Sequence, residues 1–458
     1  MRVLLAVCLF FACAAAVAAP EKVSHGRFKD VTLYRPQGEV RGFVIFLSGD
    51  GGWNLGVVSM ARTLVEQGMM VAGISTPQFI EAMEKDGADC VYADGDLENL
   101  SHFVQAYAKL SSYHTPLLVG YSSGATLAYA MLAQAPRETF GGALALGFCP
   151  DLQLKKPLCK GDGVKFEKRA DGKGVDFLPV QHLSDPFIAL QGEIDQVCSP
   201  PATQAFIAQV PKAEVVMLPK VGHGYSVEKN WMPQYQTAFA RLVAETTPAA
   251  VETPKDVSDL PVVEVKAEGD SDRFAILISG DGGWAGIDKD IAATLAKNGI
   301  PVVGLDSLRY FWIARTPEGL AADLHRLIQT YSARWSKSKV LLLGYSQGAD
   351  VLPFALNRLP KESLQKIALA APMALGVNAA FEFHLTNWVG GSGDMPIAPE
   401  LERLPDIPLI CIYGADQGKE TTCPQLDGKR FQTKSLPGGH HFNGDYRTLA
   451  ATILEAAK

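Results

Sequence analysis

The 458-residue chain lacks several features that would point to a specialised class of protein. It has 42 Lys and Arg against 49 Asp and Glu, a net charge of −7, and no basic run dense enough for a nucleic-acid or membrane-surface patch. No C-x-x-C pair occurs, which argues against a thioredoxin-like or zinc-ribbon site. With 47% hydrophobic and 20% charged residues, the composition excludes intrinsic disorder and indicates a globular enzyme or binding protein.

Apolar runs long enough to cross a bilayer are absent after the first twenty residues. Met1-Arg2 gives a short positive start, 3–17 is almost wholly apolar, and 16–19 supplies small residues for signal peptidase. We predict a cleaved signal peptide over 1–19 and an exported mature protein, with an uncleaved N-terminal anchor as the alternative.

Six cysteines remain after the predicted signal peptide is removed. An even number in an oxidising compartment favours disulfides. The second half of the chain holds only Cys411 and Cys423, which we predict to be bonded to each other. The four in the first half leave the connectivity open; they are Cys90, Cys149, Cys159 and Cys198.

Four motifs recur in the same order in the two halves of the chain. FVIFLSGDGGW at 43–53 is repeated as FAILISGDGGW at 274–284, and LLVGYSSGA at 117–125 as LLLGYSQGA at 341–349. PFIALQGEIDQVC and VVMLPKVGHGY in the first half match PLICIYGADQGKETTC and TKSLPGGHHFN in the second. We interpret this pattern as a tandem duplication of one domain.

The domain limits follow from the repeat and from a Pro/Thr/Ala segment between its copies. We predict a first lobe over 20–245, a linker over 246–259 and a second lobe over 260–458. Short apolar runs alternate with helical patterns in each lobe, which predicts α/β architecture with a mostly parallel sheet flanked by helices. In the second lobe the expected strands are Phe274–Ser279, Val302–Leu305, Val340–Gly344, Ile367–Ala371 and Leu409–Tyr413.

The second lobe carries G-x-S-x-G between a predicted strand and a predicted helix. Ser346 is its central residue, and such a turn exposes a serine at the carboxyl end of a strand. Ser122 occupies the same setting in the first lobe. We predict that Ser346 is a nucleophile. The expected oxyanion donors are backbone N–H groups of Asp281, Gly282 and Gln347.

The acid and base are expected in the order Ser…Asp…His. Asp416 follows the last predicted strand, and Glu420 in the same loop is the alternative acid. Counting from the shared Leu-Pro, His441 matches His223 of the first lobe, so His441 is the predicted base and His440 the alternative.

The first lobe holds Ser122, Asp195 and His223 in the same order, which makes it a second candidate site. No phosphate-binding Gly-rich motif, cofactor or metal site is expected in either lobe.

The motifs SGDGGW, DSLRYFW, GYSQGAD and LPGGHHF together resemble the VirJ/AcvB family of periplasmic α/β-hydrolase proteins. This resemblance implies a periplasmic location and a link to virulence and type IV secretion, with envelope or secretion proteins as partners. It also implies hydrolysis of aminoacyl-phosphatidylglycerol, a phospholipid at the membrane surface, to free amino acid and phosphatidylglycerol. Another esterase or thioesterase activity and a non-catalytic envelope scaffold are the alternatives.

A cationic amine beside a phosphate needs groups of both charges for its recognition. Asp350, one helical turn after Ser346, is a candidate partner for the ammonium, and Arg309 and Arg315 are candidates for the phosphate. The first lobe has Thr126 in place of Asp350 and no arginine at the corresponding strand end. We therefore expect the second lobe to be the main catalytic lobe.

Overall fold

The computed structural model describes residues 20–85, 87–137, 139–161, 163–183, 185–246, 255–267, 269, 271–383 and 393–458. The predicted signal peptide and most of the predicted linker lie outside these ranges. Within the described part of the chain, no helix is long and apolar enough to cross a membrane.

The chain divides into two compact units. The first is built mainly from residues before Leu242 and the second mainly from Val243 onward, with the short segments His102–His114 and Ala135–Thr139 grouped with the second. This division separates the two copies of the repeat, and each copy has its own sheet.

The first copy contains eleven strands and six α-helices within the described residues. The strands are β1 (Glu21–His25), β2 (Phe28–Tyr34), β3 (Gly42–Leu47), β4 (Met69–Ile74), β5 (Leu117–Tyr121), β6 (Ala143–Leu146), β7 (Asp151–Leu152), β8 (Phe166–Lys168), β9 (Val175–Phe177), β10 (Phe187–Gly192) and β11 (Ala213–Leu218). The helices are α1 (Leu55–Glu66), α2 (Thr76–Glu84), α3 (Ala93–Tyr107), α4 (Ser123–Gln134), α5 (Pro200–Ile207) and α6 (Met232–Thr246).

The second copy contains nine strands and seven α-helices within the described residues. The strands are β12 (Val262–Val265), β13 (Arg273–Ile278), β14 (Val302–Leu305), β15 (Lys339–Tyr345), β16 (Ile367–Met373), β17 (Asn378–Ala379), β18 (Met395–Pro396), β19 (Ile410–Gly414) and β20 (Gln432–Leu436). The helices are α7 (Gly286–Lys297), α8 (Ser307–Tyr310), α9 (Pro317–Arg334), α10 (Gln347–Leu356), α11 (Lys361–Leu364), α12 (Ala398–Leu401) and α13 (Tyr446–Ala456).

Both main sheets are largely parallel. The first has the strand order β1-β2-β4-β3-β5-β6-β10-β11 and is parallel from β4 to β11. The second has the order β12-β14-β13-β15-β16-β19-β20, with β12 as its antiparallel edge strand. The predicted α/β fold with two mostly parallel sheets is confirmed, and the five strands expected in the second lobe correspond to β13, β14, β15, β16 and β19.

Burial of the sheet on both faces explains its near-continuous apolar strands. Successive residues of β13 enter different hydrophobic clusters: Phe274 and Ile276 pack in one, and Ala275 and Leu277 in the other. Because strand side chains alternate between faces, both faces of the sheet are covered by helices. Parallel packing brings the carboxyl ends of β5 and β10, and likewise of β15 and β19, to one edge, where loop residues meet.

Candidate active site

The two G-x-S-x-G motifs form sharp turns because their glycines leave no room for a side chain. A Cβ on Gly120 would lie 2.2 Å from the carbonyl oxygen of Gly124, and one on Gly124 would lie 2.2 Å from that of Leu47. The turn therefore packs directly against helix α4 and strand β3. Ser122 has a φ of 54°, a strained left-handed conformation that exposes a nucleophile at the strand end.

The second copy repeats this geometry. A Cβ on Gly344 would lie 2.3 Å from the Gly348 carbonyl oxygen, and one on Gly348 would lie 2.2 Å from that of Ile278. Ser346 has a φ of 52° and directly precedes helix α10. The structure therefore places both predicted serines in the conformation of a nucleophile.

The first lobe assembles a complete Ser–His–Asp triad. The Ser122 Oγ lies 2.9 Å from the Nε2 atom of His223, and the His223 Nδ1 atom lies 2.9 Å from the Oδ2 atom of Asp195. Both distances are those of hydrogen bonds, and the order of the groups is that of a general base oriented by a carboxylate. The structure thus brings together all three residues predicted for this lobe.

Hydrogen bonds to both oxygens hold the Asp195 side chain in place. Its side chain is fully buried, and its Oδ1 atom accepts hydrogen bonds from the backbone N–H groups of Val197 (2.8 Å) and Cys198 (2.9 Å). The Nε2 atom of Gln191 donates to Oδ2 at 3.1 Å. Cys198 also forms a disulfide with Cys149, so the loop that carries the acid is covalently tied to the segment that follows β6. That disulfide removes the Cys198 thiol as a metal ligand beside Asp195 and His223.

In the second lobe the histidine that contacts Ser346 is His440, whereas the sequence predicted His441. The Nε2 atom of His440 lies 2.8 Å from the Ser346 Oγ, whereas the Nδ1 atom of His441 lies 2.9 Å from the hydroxyl of Tyr345.

The two histidine loops differ in length by one residue, which explains the error. The N–H of Ile194 bonds the carbonyl of Val221, three residues after Leu218. In the second lobe the equivalent N–H, that of Asp416, donates to the carbonyl of Gly438, which is only two residues after Leu436.

Neither predicted acid of the second lobe occupies the acid position. Asp416 and Glu420 are exposed, and the buried side chain in this loop is that of Gln417. The Gln417 Nε2 atom lies 3.3 Å from the Nδ1 atom of His440. Among the described residues, no carboxylate is seen to bond His440, so the prediction of Asp416 is wrong for this geometry.

Both buried residues stand third after a strand-ending glycine, Asp195 after Gly192 and Gln417 after Gly414. Aligning the copies on that glycine gives the correct equivalence from the sequence alone. Gln417 and Gln191 are the site residues that motif matching missed, because an amide is not a catalytic acid.

The environment of His440 favours its neutral form. Burial lowers the pKa of His440, and the neighbouring His441 lowers it further. Asp281 and Glu420 oppose this shift through their negative charge. A neutral imidazole carries its single proton on one nitrogen only, so the partner of Nδ1 decides which nitrogen faces Ser346.

The predicted oxyanion residues lie on turns that adjoin Ser346. Gly280 packs against the serine, since a Cβ there would lie 3.5 Å from the Ser346 Cβ. Asp281 and Gly282 are the central residues of the turn closed by the hydrogen bond from Gly283 N–H to the Gly280 carbonyl, 3.0 Å. Gln347 opens helix α10, where backbone N–H groups have no acceptor within the helix. Their role as donors stays a prediction.

The residues proposed to recognise the headgroup have structural partners instead. The Oδ1 atom of Asp350 accepts the backbone N–H of Gly376 at 2.7 Å, and burial raises the pKa of this partly buried carboxyl to about 8. The guanidinium of Arg315 donates from Nε to the Tyr310 carbonyl at 3.0 Å and lies 4.6 Å from the centre of the Tyr310 ring. Arg309 lies 3.6 Å from an oxygen of Asp306. These contacts do not support the expected asymmetry in favour of the second lobe.

A cleft of about 590 Å³ lies beside the loop that follows β3 in the first lobe. Part of its wall is Asp50-Gly51-Gly52-Trp53, which directly follows Gly49, and a Cβ on Gly49 would lie 3.2 Å from the Ser122 Cβ. Its lining also includes Lys22, Asp30, Thr32, Ser75, Pro77 and Gln78. The cleft thus offers one cation and two carboxylates, Lys22, Asp30 and Asp50, next to a loop that adjoins the Ser122 turn, and neither Ser122 nor His223 is part of its lining.

Three disulfides are formed among the described residues. The predicted Cys411–Cys423 bond is confirmed, and it closes the loop that carries Gln417. In the first lobe Cys90 pairs with Cys159, and Cys149 with Cys198, which settles the connectivity that the sequence left open.

The chain is similar over about half its length to several solved structures: the esterase domain of a Rhodothermus marinus protein (14% identity, 49% of this chain and 98% of that chain, TM-score 0.34), an alpha-beta serine hydrolase homologue from Coxiella burnetii (16%, 50% and 98%, TM-score 0.32) and Thermogutta terrifontis esterase 2 (16%, 52% and 97%, TM-score 0.35). No relative is found among curated proteins.

A family model described as "Bacterial virulence protein (VirJ)" matches residues 42–147 and 272–458, which together are more than half of the chain and include both nucleophile turns. The protein therefore belongs to the VirJ family of bacterial virulence proteins.

Proposed function

We propose that the protein is a periplasmic serine ester hydrolase whose first lobe carries out the chemistry on aminoacyl-phosphatidylglycerol. The single observation that supports the reaction is the hydrogen-bonded chain from Ser122 through His223 to the buried Asp195. The family resemblance supports the substrate and the compartment, and three disulfides suit an oxidising compartment.

The triad defines each step of the reaction. His223 takes the proton of Ser122 through Nε2 while its Nδ1–H stays bonded to Asp195, and the serine oxygen attacks the aminoacyl carbonyl carbon. Collapse of the tetrahedral intermediate breaks the ester bond, and the proton on His223 passes to the departing glycerol oxygen of phosphatidylglycerol. A water molecule, deprotonated by His223, then attacks the aminoacyl-serine carbonyl. The bond to the Ser122 Oγ breaks, His223 returns the proton to that oxygen, and the free amino acid leaves.

Charges in the cleft suit a headgroup with a phosphate and an ammonium. Lys22 is exposed and offers a positive charge to the phosphate, while Asp30 and Asp50 offer negative charges to the aminoacyl ammonium. Exposed charges of this kind contribute up to about 1 kcal/mol each, which corresponds to roughly a fivefold change in affinity.

The test compares two substrates with the mature, oxidised protein. Wild type is expected to release amino acid from aminoacyl-phosphatidylglycerol in vesicles and to cleave a p-nitrophenyl ester, and Ser122→Ala is expected to lose both activities. Lys22→Gln should raise KM for the phospholipid roughly fivefold and leave KM for the uncharged ester unchanged. If wild type cleaves only the p-nitrophenyl ester, the reaction class stands and the phospholipid substrate is wrong.

A further inference from the structure

We propose that Gln417 holds His440 in the tautomer that carries its proton on Nε2, so that Ser346 is not activated and the second lobe is silent as a hydrolase. This inference rests on the proposed function, because it assigns the hydrolysis to the first lobe. It concerns a residue, Gln417, that replaces the carboxylate of the first lobe.

The orientation of the Gln417 amide is fixed by a backbone donor. The N–H of Gly414 lies 2.8 Å from the Gln417 Oε1 atom, and a backbone N–H requires an acceptor. The amide oxygen therefore faces Gly414, and the NH2 group faces His440. A reversed amide would place two donors against each other at Gly414.

The amide orientation determines the proton on the imidazole. The Gln417 Nε2 group is a donor at 3.3 Å from the His440 Nδ1 atom, so Nδ1 must be the unprotonated nitrogen. The neutral ring then carries its proton on Nε2, which lies 2.8 Å from the Ser346 Oγ. In this state the histidine donates to the serine and cannot accept its proton.

The first lobe shows the opposite arrangement. Asp195 is an acceptor, so the His223 Nδ1 atom carries the proton and Nε2 is free to accept from Ser122. The carboxylate also stabilises the imidazolium that forms during attack, which an amide cannot do. Exchanging an acid for an amide in a Ser–His–Asp triad costs about 10,000-fold in kcat through this tautomer effect.

Glutamate at position 417 is the informative substitution. Gln417→Glu keeps the side-chain length and the acceptor for Gly414, and it changes only the NH2 group that faces His440 into an oxygen. Gln365→Glu, at an exposed position after α11, adds the same charge away from the site and is the matched control.

The tautomer is measured in the mature protein with 15N-labelled histidine. Long-range 1H–15N correlation spectra show which ring nitrogen of His440 carries the proton, with His440→Ala providing the assignment. The expected result is Nε2–H in wild type and Nδ1–H in Gln417→Glu. A wild-type spectrum with the proton on Nδ1 overturns the proposal without any activity measurement. The wild-type spectrum alone tests the proposal, even if the Gln417→Glu variant folds poorly.

Turnover is measured in the Ser122→Ala background, where only the second lobe can act. Gln417→Glu should raise p-nitrophenyl ester hydrolysis at least 100-fold over Ser122→Ala alone, and Gln365→Glu should give no gain. A tautomer switch without this gain overturns the proposed cause of silence. If Ser122→Ala alone retains strong activity and the added Glu420→Gln substitution abolishes it, Glu420 is the acid of an active second lobe. That result would also overturn the proposal. Absence of any wild-type hydrolysis refutes the proposed function and leaves the tautomer result standing.

Discussion

Asp195→Asn is the substitution that tests the first-lobe triad most directly. The asparagine keeps one oxygen for the N–H groups of Val197 and Cys198, so its NH2 group takes the place of the Oδ2 atom. That group then faces two donors, the Gln191 Nε2 and the Nδ1–H of His223. His223 can relieve the conflict only by moving its proton to Nε2, which makes it a donor to Ser122.

The size of the effect follows from this tautomer change. A loss of about 10,000-fold in kcat corresponds to roughly 5 kcal/mol of transition-state stabilisation. The first lobe would then have the hydrogen-bond arrangement of the second, with an amide beside the histidine. KM should change little, because Asp195 is buried behind His223 and lines no part of the cleft.

The assay is steady-state hydrolysis of a p-nitrophenyl ester by mature, oxidised protein, with near-ultraviolet circular dichroism to confirm folding. Asp416→Asn is the matched control, because this substitution also converts a carboxylate to an amide, but at an exposed position that belongs to neither Ser–His pair. If Asp195→Asn keeps more than a tenth of the wild-type kcat, the first-lobe triad does not carry the reaction.

Three further outcomes are expected. Ser122→Ala should lower kcat/KM for ester substrates far more than Ser346→Ala does, and comparable losses in the two variants would show that both lobes turn over. Peptide mass spectrometry of unreduced protein should find Cys411 joined to Cys423, and free thiols at these positions would contradict this expectation. Replacing both cysteines by alanine should lower the free energy of unfolding by about 2–3 kcal/mol, as expected for a disulfide that closes a loop of this length. Because the pKa of Asp350 is raised to about 8 in the folded protein, the native state keeps a proton that the unfolded chain has lost above pH 4, so stability should fall as pH rises from about 4 to 8. Asp350→Asn should flatten the dependence of unfolding free energy on pH in this range and stabilise the protein by about 1–2 kcal/mol at pH 8. The expected effect is this small because the carboxyl is only partly buried. An unchanged pH dependence would refute the raised pKa of Asp350.

The sequence alone determined the features that depend on local patterns. Repeated motifs revealed two copies of one domain, apolar strands alternating with helical segments predicted the parallel sheets, and G-x-S-x-G located Ser122 and Ser346. These signals are reliable because each reflects a steric or solvation demand made by neighbouring residues, such as glycines packed against a backbone carbonyl. The expected order Ser…Asp…His also selected Asp195 and His223, which the structure brings to Ser122.

Tertiary structure decided which side chains of the second lobe meet. The loop before His440 is one residue shorter than its counterpart, so a count from Leu436 selected His441, whose ring instead contacts Tyr345. Asp416 was chosen for its chemical type, but the backbone buries Gln417 and leaves Asp416 in solvent. Asp350 and Arg315 were predicted to bind the ligand, yet both side chains form hydrogen bonds with nearby backbone groups. A sequence fixes the chemistry of each side chain, whereas the partner of that side chain depends on loop length and on the direction in which the backbone presents it.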